Sequence, residues 1–317
     1  MLKSTIFAVL AAAAAATAAP APSIAEETNM TQMIKTAPTK SGHVEANGVR
    51  YYYEIHGEGE PLLLLHGGLG SIDMFAPILP LLTEHRQVIG VDLHGHGRTQ
   101  LGEREIDPIA IGDDLAVVVK ELGYQQVDVL GYSFGGTNAL RLAIQHPQMV
   151  RRLVVASAGF AQDGFFPEML PQQAQVGAAM AEFMKDTPMY QSYAAIAPDP
   201  GEFPKLLDNM GALMRKPFDW AEEVRTLKMP VMLVYGDSDM FRPEHIVEFY
   251  QLLGGGLKDA GWQREHKAEA RLAILPDLTH YEAFMSPDLA RVALPFLDGE
   301  SNALTWAGQV QEQTKGD

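Results

Sequence analysis

The chain alternates between short apolar runs and longer stretches of helical length, and that alternation is the first guide to its fold. HVEANGVRYYYEIHG (43–57) holds two β-rich runs around Asn47-Gly48, a hairpin turn signal. PLLLLHGG (61–68) is a continuous apolar run ending in glycine, the form of a strand buried on both faces. RQVIGVD (86–92), QVDVLGYS (126–133), RRLVVAS (151–157), PVMLVYGD (230–237) and RLAILPD (271–277) repeat that form. Stretches of helical length lie between them at 73–84, 109–122, 135–146, 243–253 and 287–297. Strands alternating with helices predict an α/β fold, a mostly parallel twisted sheet with helices on both faces.

The alternation fails once. Residues 160–225 carry no strand pattern, only Met-, Ala- and Phe-rich helical pieces cut by Pro167, Pro171, Pro188, Pro198, Pro200, Pro204 and Pro217. Such an insertion is expected to form a helical cap over the strand ends, with plain packing against the sheet as the other reading. Met169, Met180, Met184, Met189, Met210 and Met214 could line an apolar pocket there or fill the insertion's own core. GGGLKDAGWQREHKAEA (254–270) reads as a polar surface excursion.

Composition narrows the chemistry. With 47% hydrophobic and 20% charged residues in 317, the chain is an ordinary globular sequence, neither disordered nor a multi-pass membrane protein. No cysteine is present, which excludes disulfides, thiolate metal sites and a cysteine nucleophile. Lys and Arg total 24 against 40 Asp and Glu, a formal charge of -16 that opposes binding to nucleic acid.

The N-terminus, MLKSTIFAVLAAAAAATAAPAPSIAEE, has one Lys, an uncharged stretch from Ser4 to Ala19 and an Ala/Ser-rich exit. It reads as a cleavable secretory signal peptide over residues 1–25, cut after Ala25, and the product is expected to be secreted or periplasmic without stable membrane insertion. The apolar run is shorter than the roughly 20 residues of a membrane span. A flexible polar leader (26–41), one folded domain (42–298) with its insertion at about 160–225, and a polar tail (299–317) complete the expected organisation.

VLGYSFGGTNALRLAIQHP carries the chemistry. An apolar strand runs into Gly131-Tyr132-Ser133-Phe134-Gly135 and a helix follows at once. A serine on so sharp a turn is held in a strained conformation at the positive end of a helix, and flanking glycines are needed because a side chain would collide with the neighbouring elements. The hydroxyl is thereby presented as a nucleophile. The bland alternative is a serine that caps the helix. Tyr132 and Phe134 are expected to add aromatic surface beside it.

In this stretch the chain resembles the α/β-hydrolase family, over about residues 43–298. The resemblance implies a Ser, acid, His order for the catalytic triad. His280, after the last strand, takes the place of the base; His245 and His266 lie in a helix and in the excursion. VMLVYGDSDMFRP offers Asp237 and Asp239, and the family pattern favours Asp239 with Asp237 in reserve. The backbone N–H of Phe134 and of Gly68, in His66-Gly67-Gly68, would hold the oxyanion, with Leu69 as reserve for the second. His66 is expected to orient this loop. In VDLHGHGRT (91–99) an Asp and glycines would shape a turn, and His94 and His96 are weak evidence for a metal site.

The implied reaction is hydrolysis of a small hydrophobic ester or lactone, a small-molecule substrate, through an acyl-enzyme on Ser133. It needs no cofactor and no metal. Ser133 sets aside the branches that use Asp at that turn, the haloalkane dehalogenases and epoxide hydrolases. Carbon–carbon bond hydrolysis, perhydrolysis or haloperoxidation, amide cleavage, acyl transfer and ligand binding without turnover remain alternatives within the resemblance.

Overall fold

The computed structural model describes residues 37–300. The expected signal segment, most of the leader and most of the tail lie outside the described residues. The strands are β1 (Lys40–Ala46), β2 (Val49–His56), β3 (Glu60–Leu65), β4 (Arg86–Val91), β5 (Val127–Tyr132), β6 (Val150–Ala156), β7 (Val231–Ser238) and β8 (Arg271–Thr279). They form an eight-stranded sheet in the order β1-β2-β4-β3-β5-β6-β7-β8. β1 and β2 are the hairpin around Asn47-Gly48, and β2 is antiparallel to β4; the remaining neighbours are parallel. β1 begins at Lys40, two residues before the expected start of the domain, and its Lys40 pairs with Ile55.

The helices are α1 (Leu79–Leu82), α2 (Pro108–Glu121), α3 (Phe134–Gln145), α4 (Met169–Gln173), α5 (Ala181–Met184), α6 (Pro188–Ile196), α7 (Phe203–Arg215), α8 (Ala221–Val224), α9 (Pro243–Leu252) and α10 (Pro287–Leu297). One expectation fails in detail. Residues 73–84 do not form a continuous helix but a 3₁₀ turn at Ile72–Phe75 followed by α1. Pro77 has no N–H to continue the first turn, and Pro80 stands in the first turn of the second.

The apolar run of β3 explains the layering. Leu63 and Leu65 face one core, with residues of α2, α3, α7 and α9, while Leu62 and Leu64 face a second, with α1 and α10. All four leucines are buried, and each contributes on the order of 2 kcal/mol of apolar burial. The strand needs no polar face because helices cover both sides.

Between β6 and β7 the described residues add helices α4–α8 and no strand of the sheet, only isolated bridges Ala161↔Asp219 and Phe165↔Phe241. Proline starts pieces of this insertion: Pro188 opens α6 behind the Thr187 cap, and Pro204 stands in the first turn of α7. α7 is fastened on two sides. Asn209 accepts the Ile106 N–H at 3.2 Å, Lys205 donates to the Gly102 carbonyl at 2.6 Å, and Asp208 accepts the Ala178 N–H at 2.6 Å. Its Leu206 and Met210 meet the loops after β4 and β3 at Gly95 and Gly68. Met184 and Met210 are buried, and Met180, Met189 and Met214 pack against the same core, so most of the insertion's methionines fill it.

Candidate active site

The site stands where β3, β5, β6, β7 and β8 end. Ser133 links β5 to α3 with φ 53° and ψ -118°. The glycines around it are required by contact: a Cβ on Gly131 would lie 2.3 Å from the Gly135 carbonyl oxygen, and one on Gly135 would lie 2.2 Å from that of Leu65. The Ser133 N–H donates to the Ala156 carbonyl at 2.8 Å, tying the turn to β6. Its side chain does not cap α3; instead Oγ lies 3.0 Å from Nε2 of His280.

His280 follows β8 directly and is buried. Its Nδ1 lies 2.9 Å from Oδ1 of Asp239. With Nδ1–H donating to that carboxylate, Nε2 is left to accept from Ser133. The Tyr132 hydroxyl donates to the His280 backbone carbonyl at 2.5 Å, and its ring centroid is 5.3 Å from the imidazole. Tyr132 is buried among the second core, so it holds the histidine from below the sheet and does not add the open aromatic surface expected from sequence. Strand alternation places it on the face of Leu130.

Asp239 is buried, and both of its oxygens are engaged. Oδ1 also accepts the Met240 N–H at 2.8 Å; Oδ2 accepts the Ser157 hydroxyl at 2.5 Å and the Gly236 N–H at 3.4 Å. Burial pushes this carboxyl up, but the hydrogen bond and charge of His280, then Ser157 and the Met240 amide, outweigh it and hold the group below its ordinary range. Asp237, the reserve acid, is exposed and accepts the Asp277 N–H at 3.1 Å, a turn contact away from His280. Ser157 had no signal in the sequence: it is one small residue after an apolar strand.

Among the described residues, the N–H groups of Phe134, Gly68 and Leu69 donate to no protein acceptor. Phe134 opens α3, so its N–H has no partner within the helix. Gly68 lies beside it: a Cβ on Gly68 would stand 3.8 Å from Cβ of Phe134 and 3.1 Å from Cε of Met210. The loop turns at Gly67–Gly70, closed by the Gly70 N–H on the Gly67 carbonyl at 3.2 Å, with Leu69 at φ 58° in a place that favours glycine.

Three histidines surround this loop. His66 is fully buried; its Nε2 accepts the Leu93 N–H at 2.9 Å, so Nδ1 carries the proton and donates to the Gly67 carbonyl at 2.8 Å. Burial holds it neutral, with its pKa lowered to about 4. His96 stacks against Phe134 with centroids 5.4 Å apart and is lowered by burial to about 3. His94 and His96 turn to backbone carbonyls, of Leu101 at 2.7 Å and of His94 at 2.8 Å. Asp92 accepts the N–H groups of Ile72 and Arg98 at 2.8 and 2.9 Å and thus joins the loops after β3 and β4; burial raises its pKa to about 6. His245 lies apart, buried in α9 and stacked on Phe160 with centroids 4.1 Å apart, and His266 is exposed.

A family model described as alpha/beta hydrolase fold matches residues 60–184. The chain is 30% identical over 240 residues to the pimeloyl-[acyl-carrier protein] methyl ester esterase of Neisseria meningitidis serogroup B, covering 70% of this chain and 88% of that protein. It is 34% identical over 130 residues to the 2-hydroxymuconate semialdehyde hydrolase of a Pseudomonas species, covering 39% of this chain and 46% of that protein. In fold it is similar to the carboxylesterase CesB of Bacillus subtilis, with a TM-score of 0.63 and 18% identity, over 87% of this chain and 97% of that one.

Proposed function

The chain belongs to the α/β-hydrolase family and is a hydrolase, and from that premise we propose that it cleaves a small hydrophobic carboxylic ester or lactone through an acyl-enzyme on Ser133. The observation that carries this reading is the continuous row Ser133, His280, Asp239, with contacts of 3.0 and 2.9 Å, beside the amides of Phe134 and Gly68, which donate to no acceptor among the described residues.

In this reading Nε2 of His280 takes the Ser133 proton as Oγ attacks the carbonyl carbon. Asp239 fixes the imidazole tautomer and stabilises its cation. The N–H of Phe134 and that of Gly68, or of Leu69 in its place, receive the negative oxygen; one such donor is worth about 3 kcal/mol in the transition state. His280 then returns its proton to the leaving alcohol. Water activated by the same Nε2 attacks the acyl-enzyme, and the acid departs. Met210 at Gly68 and Phe134 beside the nucleophile support an apolar acyl or alcohol group.

The ester bond named for the Neisseria relative supports the reaction class. For this chain the reading keeps the ester and leaves out the carrier protein, because export, proposed from residues 1–25, would separate it from carrier-bound and coenzyme A substrates. N-terminal sequencing of the mature protein is expected to begin near Glu26; a retained Met1 in a cytoplasmic fraction would remove that argument. Purified protein is expected to hydrolyse short p-nitrophenyl esters, with the rate falling at least about a thousandfold in a folded Ser133→Ala variant. Full activity in that variant sinks the proposal. The stretch shared with the 2-hydroxymuconate semialdehyde hydrolase favours one second reading, carbon–carbon bond hydrolysis by the same triad. Cleavage of that semialdehyde with no activity on any ester would carry it instead.

A further inference from the structure

Ser157 follows β6 and is fully buried. Its hydroxyl donates at 2.5 Å to Oδ2 of Asp239, the oxygen that His280 does not use. The other donor to Oδ2, the Gly236 N–H, stands at 3.4 Å, so the hydroxyl is the principal support of that oxygen. Ser157 also has φ 51°, a conformation that glycine adopts without strain and serine does not. Its N–H donates to the Val234 carbonyl at 2.8 Å, which locks the backbone to β7 beside the turn that carries Asp239. Packing alone does not account for this residue: alanine would fill nearly the same space without a hydroxyl, and glycine would relieve the backbone.

We propose that Ser157 is a positioning residue for the acid, its hydroxyl holding the Asp239 carboxylate as an anion in the plane that presents Oδ1 to Nδ1 of His280. This rests on the triad reading above. Three strained non-glycine residues, Leu69, Ser133 and Ser157, follow β3, β5 and β6, and in this account each holds one part of the machinery: the oxyanion loop, the nucleophile and the acid.

Without the hydroxyl, Asp239 is a less stabilised anion in a dry site and attracts the proton shared with His280 more strongly. His280 must be neutral to receive the Ser133 proton, so activity requires a higher pH. The other titratable groups facing Asp239 are the phenols of Tyr132, Tyr235 and Tyr281, each pushed up by burial and uncharged in the working range. Among the described residues the Ser157 hydroxyl hydrogen-bonds the acid alone, so substrate binding is expected to be unchanged.

The test compares Ser157→Ala, which keeps the backbone strain, with Ser157→Gly, which removes it, on p-nitrophenyl acetate, with Ser133→Ala alongside. Both Ser157 variants are expected to lose roughly tenfold in kcat at unchanged KM, the size of one hydrogen bond to a charged group, and to shift the acid limb of kcat/KM upward by about half to one pH unit. The His280 Nδ1 proton resonance should move in both. Wild-type rate and pH profile in either variant overturns the proposal, as does a defect in Ser157→Ala that Ser157→Gly lacks, which would assign the effect to the backbone. Activity surviving in Ser133→Ala would instead defeat the triad reading.

Discussion

Acidification should destabilise this protein through histidines buried without charge. His66, His96 and His245 have pKa values lowered to about 4, 3 and 4, in each case chiefly by burial. In the unfolded chain each titrates at about 6.5. Between that value and the folded one, the unfolded chain binds protons that the folded chain cannot. Stability present above pH 6.5 is therefore lost as the pH falls, about 2 kcal/mol for each histidine by pH 5. Asp92 acts the other way. Its folded pKa is raised to about 6, so between about pH 6 and 4 the folded state takes its proton first and gains about 1 kcal/mol at pH 5. Near pH 5.5 these four groups together should take up about two protons on unfolding, three from the histidines less one at Asp92, and His94, also lowered by burial, adds in the same direction. The net loss by pH 5 is roughly 4 to 5 kcal/mol, a large share of the roughly 5–15 kcal/mol that holds a typical domain. Urea unfolding between pH 5 and 7.5 measures the slope. Relief of the -16 net charge opposes it, so the decisive comparison is with His96→Gln, in which the uptake should fall by about one proton. Equal slopes in the two proteins would refute the reasoning.

Other expectations follow from single contacts. Asp239→Asn should lower kcat/KM by about three to four orders of magnitude by misdirecting the imidazole tautomer, while Asp237→Asn should leave it within about threefold; comparable losses in both would reopen the choice of acid. Gly135→Ala places a methyl 2.2 Å from the Leu65 carbonyl oxygen and should lower the unfolding free energy by about 3 kcal/mol or prevent folding, read by thermal melting. Met210→Ala opens space beside Gly68 and should raise kcat/KM for longer relative to shorter acyl chains by up to about tenfold; an unchanged chain-length profile would place Met210 in the insertion's core alone.

Most of the sheet was legible because strands buried on both faces write themselves as apolar runs, and the β3 leucines are the plainest case. At 73–84 Pro77 and Pro80 outweigh an apolar period that suits a helix. The turn that presents Ser133 is readable because the contacts of Gly131 and Gly135 permit no side chain there. Asp237 and Asp239 were harder to separate. Both follow the apolar part of one strand, and the register shift between Gly236 and Ser238 that turns them to different partners is not encoded in any local pattern. Ser157 was invisible for a different reason: its role comes from a contact across 82 residues with a group on another strand end. Tyr132 adds no aromatic surface beside Ser133 because it ends β5 on the face of Leu130, and adjacency to the turn does not by itself assign a face.

The most direct test of the account is the covalent intermediate. Protein quenched during turnover of a slowly released p-nitrophenyl ester should show a burst of one alcohol per active site and a mass gain of one acyl group, mapped by peptide analysis to Ser133. A burst-free reaction, or an acyl group carried elsewhere while Ser133 stays unmodified, would contradict it.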